Sequence, residues 1–259
     1  MKKFELTSES IANIFGKRLF RIKALIEFGN VKEGELGGFV EKEENLSHEG
    51  NAWVCGNAKV YGDAKVCGNA WVYGDAKVYG NAWVCGNAWV YGNAWVCGNA
   101  EVCGNAWVYG DAKVYGNAWV CGNAWVYGNA WVYGNAEVCG NAKVYGDAWV
   151  YGDAEVCGNA EVCGNAKVYG DAKVYGNAEV YGNAWVCWDA DYATVKGFGT
   201  EYRTTTFFKC KDGIARVRCG CFYGDLEEFR NQVKNTRKGK IAEEYLMIAD
   251  LMEKHFKKE

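Results

Sequence analysis

Six cysteines stand at a constant spacing in the middle of the chain and are the first residues that could do chemistry. They are Cys67, Cys85, Cys103, Cys121, Cys139 and Cys157, separated by five steps of eighteen residues. Thiols in a line could bind a soft metal ion, or form disulfides if neighbours lie about 5 Å apart. A straight column cannot wrap four ligands around one zinc ion, and a reducing cytosol disfavours disulfides. We therefore predict six outward-facing free thiols, no metal and no cofactor.

Other residues with catalytic or metal-binding chemistry are few. The chain has two histidines, His48 and His255, and both lie outside the regularly spaced part. Cys210, Cys219 and Cys221 form a second group of thiols, but three cysteines with no histidine nearby are a weak metal signal. A structural role is favoured for all five residues, and no catalytic residue is predicted.

Aromatic residues repeat with the same period of eighteen. Trp53, Trp71, Trp89, Trp107 and Trp125 are in register, and Tyr73, Tyr91, Tyr109 and Tyr127 follow four of them by two residues. On one flat surface these rings would exceed the few hundred Å² of apolar area that monomers usually expose. We predict that they bind a second copy of the chain or another protein. A self-stacked wall that only stiffens the fold, and a carbohydrate-binding surface, remain alternatives.

A six-residue repeat must position all of these side chains. From Gly50 to Cys187 the sequence reads Gly-Asn/Asp-Ala-x-Val-Tyr/Cys twenty-three times without insertion. The Ala-x-Val-Tyr/Cys part alternates as a strand does, and Gly-Asn tolerates the left-handed backbone of a sharp corner. Ala and Val never change, which predicts a narrow interior. Position four holds Trp, Lys or Glu, so positions four and six must point outward.

The period of eighteen equals three repeats, which predicts a triangular prism. The fold class is therefore mainly β: a parallel β-helix with three six-residue sides per coil and nearly eight coils. Repeats such as Gly56-Asn57-Ala58-Lys59-Val60-Tyr61 resemble the hexapeptide-repeat superfamily, whose members form left-handed parallel β-helices. The segments Phe28–Val40 and Lys211–Phe222 resemble those of uncharacterised bacterial and phage proteins that carry such repeats.

The resemblance implies an alternative function, since many hexapeptide-repeat proteins are acyltransferases. Those enzymes typically use a histidine base and a loop that projects from the prism. The twenty-three repeats here contain neither. An acyltransferase-like site with His48 as base stays the runner-up to a non-enzymatic binding scaffold, and a phage-type effector or DNA-mimic inhibitor is a further alternative.

Segments without the repeat are expected to cap the two ends of the prism. We predict a β-rich cap over residues 1–49, the solenoid over 50–187, and an α+β cap over 188–259. In the first cap, Arg18–Ile26 should form one or two strands. Residues 45–49 keep the repeat frame, with Leu46 in the place of Ala and His48 in that of Val.

The second cap combines strands and helices. Residues 192–197 resemble one late repeat unit. A hairpin is expected around Asp212-Gly213. A helix should follow from Leu226 to Lys234 behind an Asp225 cap. A second helix should span about 241–256, with an apolar stripe that covers the prism end or the hairpin. Its members are Tyr245, Ile248, Leu251, Met252 and Phe256.

Composition excludes several partners. The net charge of -3 gives no basic footprint for nucleic acid. No signal-peptide pattern begins the sequence, and no apolar run reaches the ~18 residues of a membrane span, so we expect a cytoplasmic protein that does not bind membranes. The repeats contain seven Lys and eleven acidic residues, which are interspersed along the sequence. A DNA mimic would need a coherent acidic stripe, so that alternative is not favoured.

Overall fold

The middle of the chain is a three-sided β-solenoid. The computed structural model describes residues 1–13 and 15–257. Each repeat contributes one two-residue strand at positions four and five, giving strands β4 to β26. Every strand pairs in parallel with the strand three places along the chain, so that Trp89 lies beside Trp71 on one coil and Trp107 on the next. This confirms coils of eighteen residues with three sides and about eight turns.

The three sides are named here by their outward residues. The aromatic face consists of β4 (Trp53–Val54), β7 (Trp71–Val72), β10 (Trp89–Val90), β13 (Trp107–Val108), β16 (Trp125–Val126), β19 (Lys143–Val144), β22 (Glu161–Val162) and β25 (Glu179–Val180). The cysteine face consists of β6 (Lys65–Val66), β9 (Trp83–Val84), β12 (Glu101–Val102), β15 (Trp119–Val120), β18 (Glu137–Val138), β21 (Glu155–Val156) and β24 (Lys173–Val174). The mixed face consists of β5 (Lys59–Val60), β8 (Lys77–Val78), β11 (Trp95–Val96), β14 (Lys113–Val114), β17 (Trp131–Val132), β20 (Trp149–Val150), β23 (Lys167–Val168) and β26 (Trp185–Val186).

The interior and the corners follow the repeat. All twenty-three Ala and all twenty-three Val of the repeats have no exposed surface, as predicted from their invariance. Gly86 shows why the corner needs glycine: its φ is 67°, and a Cβ there would lie 2.8 Å from the carbonyl oxygen of Gly104. Beside it the Asn87 side-chain amide donates a 2.9 Å hydrogen bond to Asn105 on the next coil. The buried residues and the corners therefore determine the backbone of each coil, whichever residues occupy the outward positions four and six.

The N-terminal cap extends the mixed face. Its elements are β1 (Phe4–Ala12), β2 (Arg18–Ala24), β3 (Leu36–Val40) and a 3-10 turn, Glu43–Asn45. Strands β1 to β3 are antiparallel, and β3 then pairs in parallel with β5. The predicted strand at Arg18–Ile26 is present as β2. The predicted frame around Leu46 is wrong: Leu46 pairs with Val66 and fills the place of a Val, because the first coil is two residues longer than the others.

The C-terminal cap is a four-stranded antiparallel sheet with two helices. Its elements are a 3-10 turn (Asp189–Asp191), β27 (Tyr192–Val195), β28 (Thr205–Lys209), β29 (Ala215–Cys219), β30 (Phe222–Asp225), α1 (Leu226–Thr236) and α2 (Gly239–Phe256). The predicted hairpin is β28–β29. The Asp225 carboxylate accepts a hydrogen bond from the Glu228 amide, which confirms the cap of α1.

Two expectations for this cap are corrected. Strand β27 pairs antiparallel with β28, so residues 192–197 are not a late solenoid unit. Leu251 is 58% exposed and lies off the buried stripe of α2. The stripe itself packs on the sheet through Phe207, whereas the next residue, Phe208, closes the end of the solenoid core. Within the described ranges, no helix has the length and apolar character needed to cross a membrane.

Candidate functional site

Two columns of stacked rings form the centre of the aromatic face. The indoles of Trp71, Trp89, Trp107 and Trp125 stack on one another, with ring centroids 6.2, 5.5 and 5.2 Å apart. The phenol rings of Tyr73, Tyr91, Tyr109 and Tyr127 form a parallel column with centroids 4.8, 4.8 and 4.9 Å apart. The phenol spacings equal the strand spacing of about 4.8 Å, and the indole centroids lie slightly further apart because the rings are offset. The structure thus brings eight of the nine predicted site residues together.

The two columns also contact each other. The Tyr73 ring meets the Trp89 ring edge to face at 5.9 Å, and Tyr91 and Tyr109 make the same contact with the Trp one coil further on. Offset-stacked and edge-to-face pairs are the favoured geometries of aromatic rings. The eight rings therefore form one ordered layer, which we call the aromatic strip.

Trp53 does not belong to the strip. It has no exposed surface, and the prediction that it binds a partner is wrong. The N-terminal cap folds over it: Phe28 packs against its indole at 5.4 Å, and Gly37 passes so close that a Cβ there would lie 2.7 Å from its ring. The indole nitrogen of Trp53 has no hydrogen-bond partner within the described part of the chain. The eighteen-residue period of the tryptophans could not show that the N-terminal cap packs against the first coil and covers Trp53.

The ring edges of the strip remain open. Trp89 and Trp125 are each 36% exposed, and Trp71 and Trp107 are half-buried. Stacking covers the ring faces, so the surface that is left consists of ring edges and the phenol oxygens. A sugar would need a free ring face to stack on, and neighbouring rings already occupy those faces.

The cysteine face carries the predicted column on successive coils. One part of the prediction is wrong, because Cys139 and Cys157 are joined by a disulfide bond with their Cα atoms 4.6 Å apart. That spacing lies within the range that a disulfide bridges. The four thiols of Cys67, Cys85, Cys103 and Cys121 are free and half-buried. The sequence-based prediction excluded disulfides because it assumed a reducing cytosol, whereas the spacing of the coils permits a disulfide at this pair.

The free thiols lie among groups that affect their ionisation. Burial raises the pKa of the Cys85 thiol to about 12 and that of Cys121 to about 11. The Cys85 thiol lies 4.0 Å from a Glu101 carboxylate oxygen, and the Trp119 indole N–H donates to the Cys103 sulfur at 3.2 Å. The ligand atoms of Cys85, Glu101 and Cys103 all lie within 4.8 Å of one another. These thiols are protonated at neutral pH and close enough to share a ligand.

The mixed face holds an arrangement that was not predicted. Lys77 Nζ lies 4.4 Å from the centroid of the Trp95 ring, and Lys113 Nζ lies 4.5 Å from that of Trp131. Lys167 makes the same contact with Trp149. Neighbouring cations and indoles stabilise this face internally through cation–π contacts. The signal was present in the sequence as Lys and Trp at steps of eighteen along this column.

Both histidines make contacts within the caps. The backbone N–H of Lys3 donates to His48 Nδ1 at 3.1 Å, and His48 Nε2 lies 2.7 Å from a Glu43 carboxylate oxygen. The ring also stacks on Phe4 at 4.4 Å. Both ring nitrogens are thus engaged inside the N-terminal cap. His255 Nε2 lies 3.1 Å from the carbonyl oxygen of Ala190 in the other cap.

The C-terminal cap contains a small concavity between its sheet and its helices. Arg203, Cys219, Cys221, Phe229 and Tyr245 are among the residues that line it. The Tyr245 hydroxyl donates to the carbonyl oxygen of Phe198 at 3.2 Å, and the Thr205 hydroxyl lies 3.1 Å from the Cys219 sulfur. The Cys219 sulfur and the Tyr245 hydroxyl thus already have neighbours within the cap.

Comparisons with known proteins agree with the solenoid. A family model described as YdcK Beta solenoid repeat matches residues 82–98 and 118–134. The two stretches begin thirty-six residues apart, which is two full coils. They cover a small part of the chain, so they support a β-solenoid repeat and no particular activity. No curated protein matches the sequence. The chain is therefore similar, over two stretches of its solenoid, to the YdcK β-solenoid repeat.

Proposed function

We propose that the chain is a non-enzymatic β-solenoid scaffold that self-associates through its aromatic face. The observation that carries the proposal is the aromatic strip, in which Trp89 and Trp125 stay 36% exposed although their neighbours are stacked on them. Leaving apolar surface in water costs about 25 cal/mol per Å². Covering the strip with a second copy would remove that cost.

Rigidity supports the strip as the centre of an interface. Each ring is held between neighbours on consecutive coils, and the backbone below it is fixed by the parallel ladder. Little conformational entropy is left to lose on binding. Tyr and Trp in a rigid, central position are the residues that most often dominate binding energy.

The size of the face fits a stable contact between two copies. The cap covers Trp53 on β4, so seven strands, β7 to β25, are left; they span about 29 Å, and a six-residue side is about 20 Å wide. This part of the face offers about 580 Å², so two copies would bury about 1,160 Å² in total, above the ~1,000 Å² expected of a biological interface. The strip itself occupies only the coils from β7 to β16, and the coils beyond it carry charged residues.

Those charged coils favour antiparallel solenoids. The aromatic face continues beyond the strip with Lys143, Glu161 and Glu179. A two-fold axis along the solenoid would place Glu161 of one copy against Glu161 of the other, and like charges that face each other are unfavourable. A two-fold axis across the solenoid places strip on strip and separates the two sets of charges. We therefore infer an antiparallel dimer.

An acyltransferase-like enzyme remains the alternative, and the cap geometry does not favour it. The lone pair of His48 Nδ1 accepts the Lys3 N–H, and Nε2 faces Glu43. A general base needs a free nitrogen within reach of the proton that it removes. Detectable acetyl-coenzyme A turnover that disappears in His48→Ala would promote this alternative over the scaffold.

A DNA-mimic inhibitor is not favoured by the pairing of the acidic groups. Glu161 forms an ion pair with Lys143 at 3.0 Å, and Glu179 with Arg218 at 3.0 Å. Glu155 pairs with Lys173 at 3.0 Å. Membership of the hexapeptide-repeat superfamily, with its left-handed coil, and a cytoplasmic location remain part of the proposal on the strength of the repeat and the composition.

Native mass measurement of a double variant tests the proposal. Trp89→Lys with Trp107→Lys should leave the fold intact, since Lys59 already lies beside Lys77 on the mixed face. It should convert the dimer into a monomer, because the two central rings are replaced by cations. The matched control is Trp83→Lys with Trp119→Lys on the cysteine face, which should keep the parent mass.

The outcomes separate the possibilities. A parent that is monomeric at every accessible concentration would contradict self-association. A parent dimer that survives in the Trp89 and Trp107 variant would place the interface elsewhere. A monomeric parent that loses capture of another protein only in that variant would replace the second copy by a different partner on the same face.

A further inference from the structure

The cysteine face brings two free thiols and one carboxylate close together. The Sγ atoms of Cys85 and Cys103 and a carboxylate oxygen of Glu101 lie within 4.8 Å of one another, and all three side chains are half-buried. Glu101 belongs to the same coil as Cys103, in register with Trp83 on the coil before and Trp119 on the coil after, and a carboxylate oxygen of Glu101 lies 4.0 Å from the Cys85 sulfur. A second such group involves Cys139 and Cys157, but a disulfide occupies those sulfurs.

Geometry limits which metal can bind. Sulfurs on a straight column can present only two adjacent members to one ion, so a tetrahedral zinc site cannot close. The two sulfurs lie within 4.8 Å of each other, so both can reach one ion through metal–sulfur bonds of about 2.3 Å. Linear two-coordination by thiolates is typical of d¹⁰ monovalent cations, and thiolates select Cu(I) among biological metals.

We propose that Cys85 and Cys103 bind one Cu(I)-like d¹⁰ cation through their two sulfurs, with Glu101 as an adjacent carboxylate. Two thiols lose their protons to solvent as two metal–sulfur bonds form. One monovalent cation is taken up, two protons are released, and the resulting bis-thiolate complex carries one negative charge. No oxidation or reduction is involved.

The surroundings of the site support a bound thiolate pair. The Trp119 indole N–H donates to the Cys103 sulfur at 3.2 Å, and a donor to sulfur stabilises a negatively charged ligand. Trp83 and Trp119 stand beside Glu101 on the coils before and after it, so the group lies within a row of large side chains. The site lies on the cysteine face, so it can be occupied whether or not the aromatic face is covered.

Competition for Cu(I) tests the proposal. Protein purified anaerobically without reductant, with the Cys139–Cys157 disulfide verified by peptide mapping, is mixed with Cu(I) held by a chromogenic chelator. The parent should take one Cu(I) per chain, and X-ray absorption should report two sulfur ligands. Cys85→Ser with Cys103→Ser should lose this uptake, and Glu101→Gln should weaken it by about 10-fold.

Two matched variants keep the test specific. Cys67→Ser with Cys121→Ser removes the outer thiols of the column and should still bind one Cu(I). Cys97→Ser removes a free thiol from the mixed face and should behave as the parent. The proposal is overturned if the parent takes no Cu(I), if uptake survives in the Cys85 and Cys103 variant, or if it disappears with Cys67 and Cys121. Four ligands in the absorption spectrum would also overturn it.

Discussion

The aromatic face and the cysteine face are built on one backbone and differ in two positions of each repeat. Val90 on the aromatic face and Val84 on the cysteine face both point into the core and are equally buried, and their strands pair with the same eighteen-residue step. On one face, stacked Trp and Tyr leave an apolar strip without charge. On the cysteine face, thiols on successive coils lie close to the carboxylate of Glu101. The backbone and the buried residues are thus the same on both faces, and the outward residues at positions four and six can differ from one face to the next without changing them.

The largest effect is expected where the two faces share their interior. Val90→Asp and Val84→Asp each bury a carboxylate in a core that has no partner for it, which costs several kcal/mol of unfolding free energy. Both should unfold the coils around them to the same extent, as measured by circular dichroism and hydrogen exchange. Trp89→Lys and Trp83→Lys, one residue away and outward, should leave the unfolding temperature nearly unchanged. A parent-like Val90→Asp protein would contradict the shared core.

Much of the solenoid could be predicted because the same six-residue pattern occurs twenty-three times. The unchanging size of Ala and Val predicted the interior, and the eighteen-residue period of cysteine and tryptophan predicted the three sides. In the caps, each sequence pattern that indicates a strand or helix occurs only once. Strand β1 was not predicted, since polar residues follow Phe4 and Leu6 without a clear alternation. The burial of Trp53 depends on Phe28 and Gly37, which lie in a cap whose return onto the first coil has no local signature.

The candidate site was predictable to the same degree. Stacking along each column follows from the coil rise, so the strip itself could be read from spacing. The Cys139–Cys157 bond was rejected on an assumption about the compartment, although the coil spacing allowed it. The proximity of Glu101 to Cys85 was missed because those residues lie sixteen apart, across the ladder, in neighbouring columns of positions four and six.

A smaller effect distinguishes the groups that titrate on each face. Burial raises the pKa of Cys85 on the cysteine face and of Tyr91 on the aromatic face to about 12 each. Their unfolded values are about 8.5 and 10, so the folded state holds protons that the unfolded state has lost. Stability should be full below about pH 8.5 and fall as the pH rises toward 12. Cys85→Ala should flatten the early part of this decline in denaturant titrations. A rising stability over this range would contradict the assignment.

The most direct test of the central claim is the concentration dependence of tryptophan labelling. Trp89 and Trp125 on the aromatic face are each 36% exposed, and Trp83 and Trp119 on the cysteine face are 47% and 45% exposed. Oxidative labelling read by peptide mass spectrometry compares them in the same molecule. As the protein is concentrated, modification of Trp89 and Trp125 should fall while that of Trp83 and Trp119 stays constant. Equal modification of all four at every concentration, or protection confined to Trp83 and Trp119, would contradict association through the aromatic face.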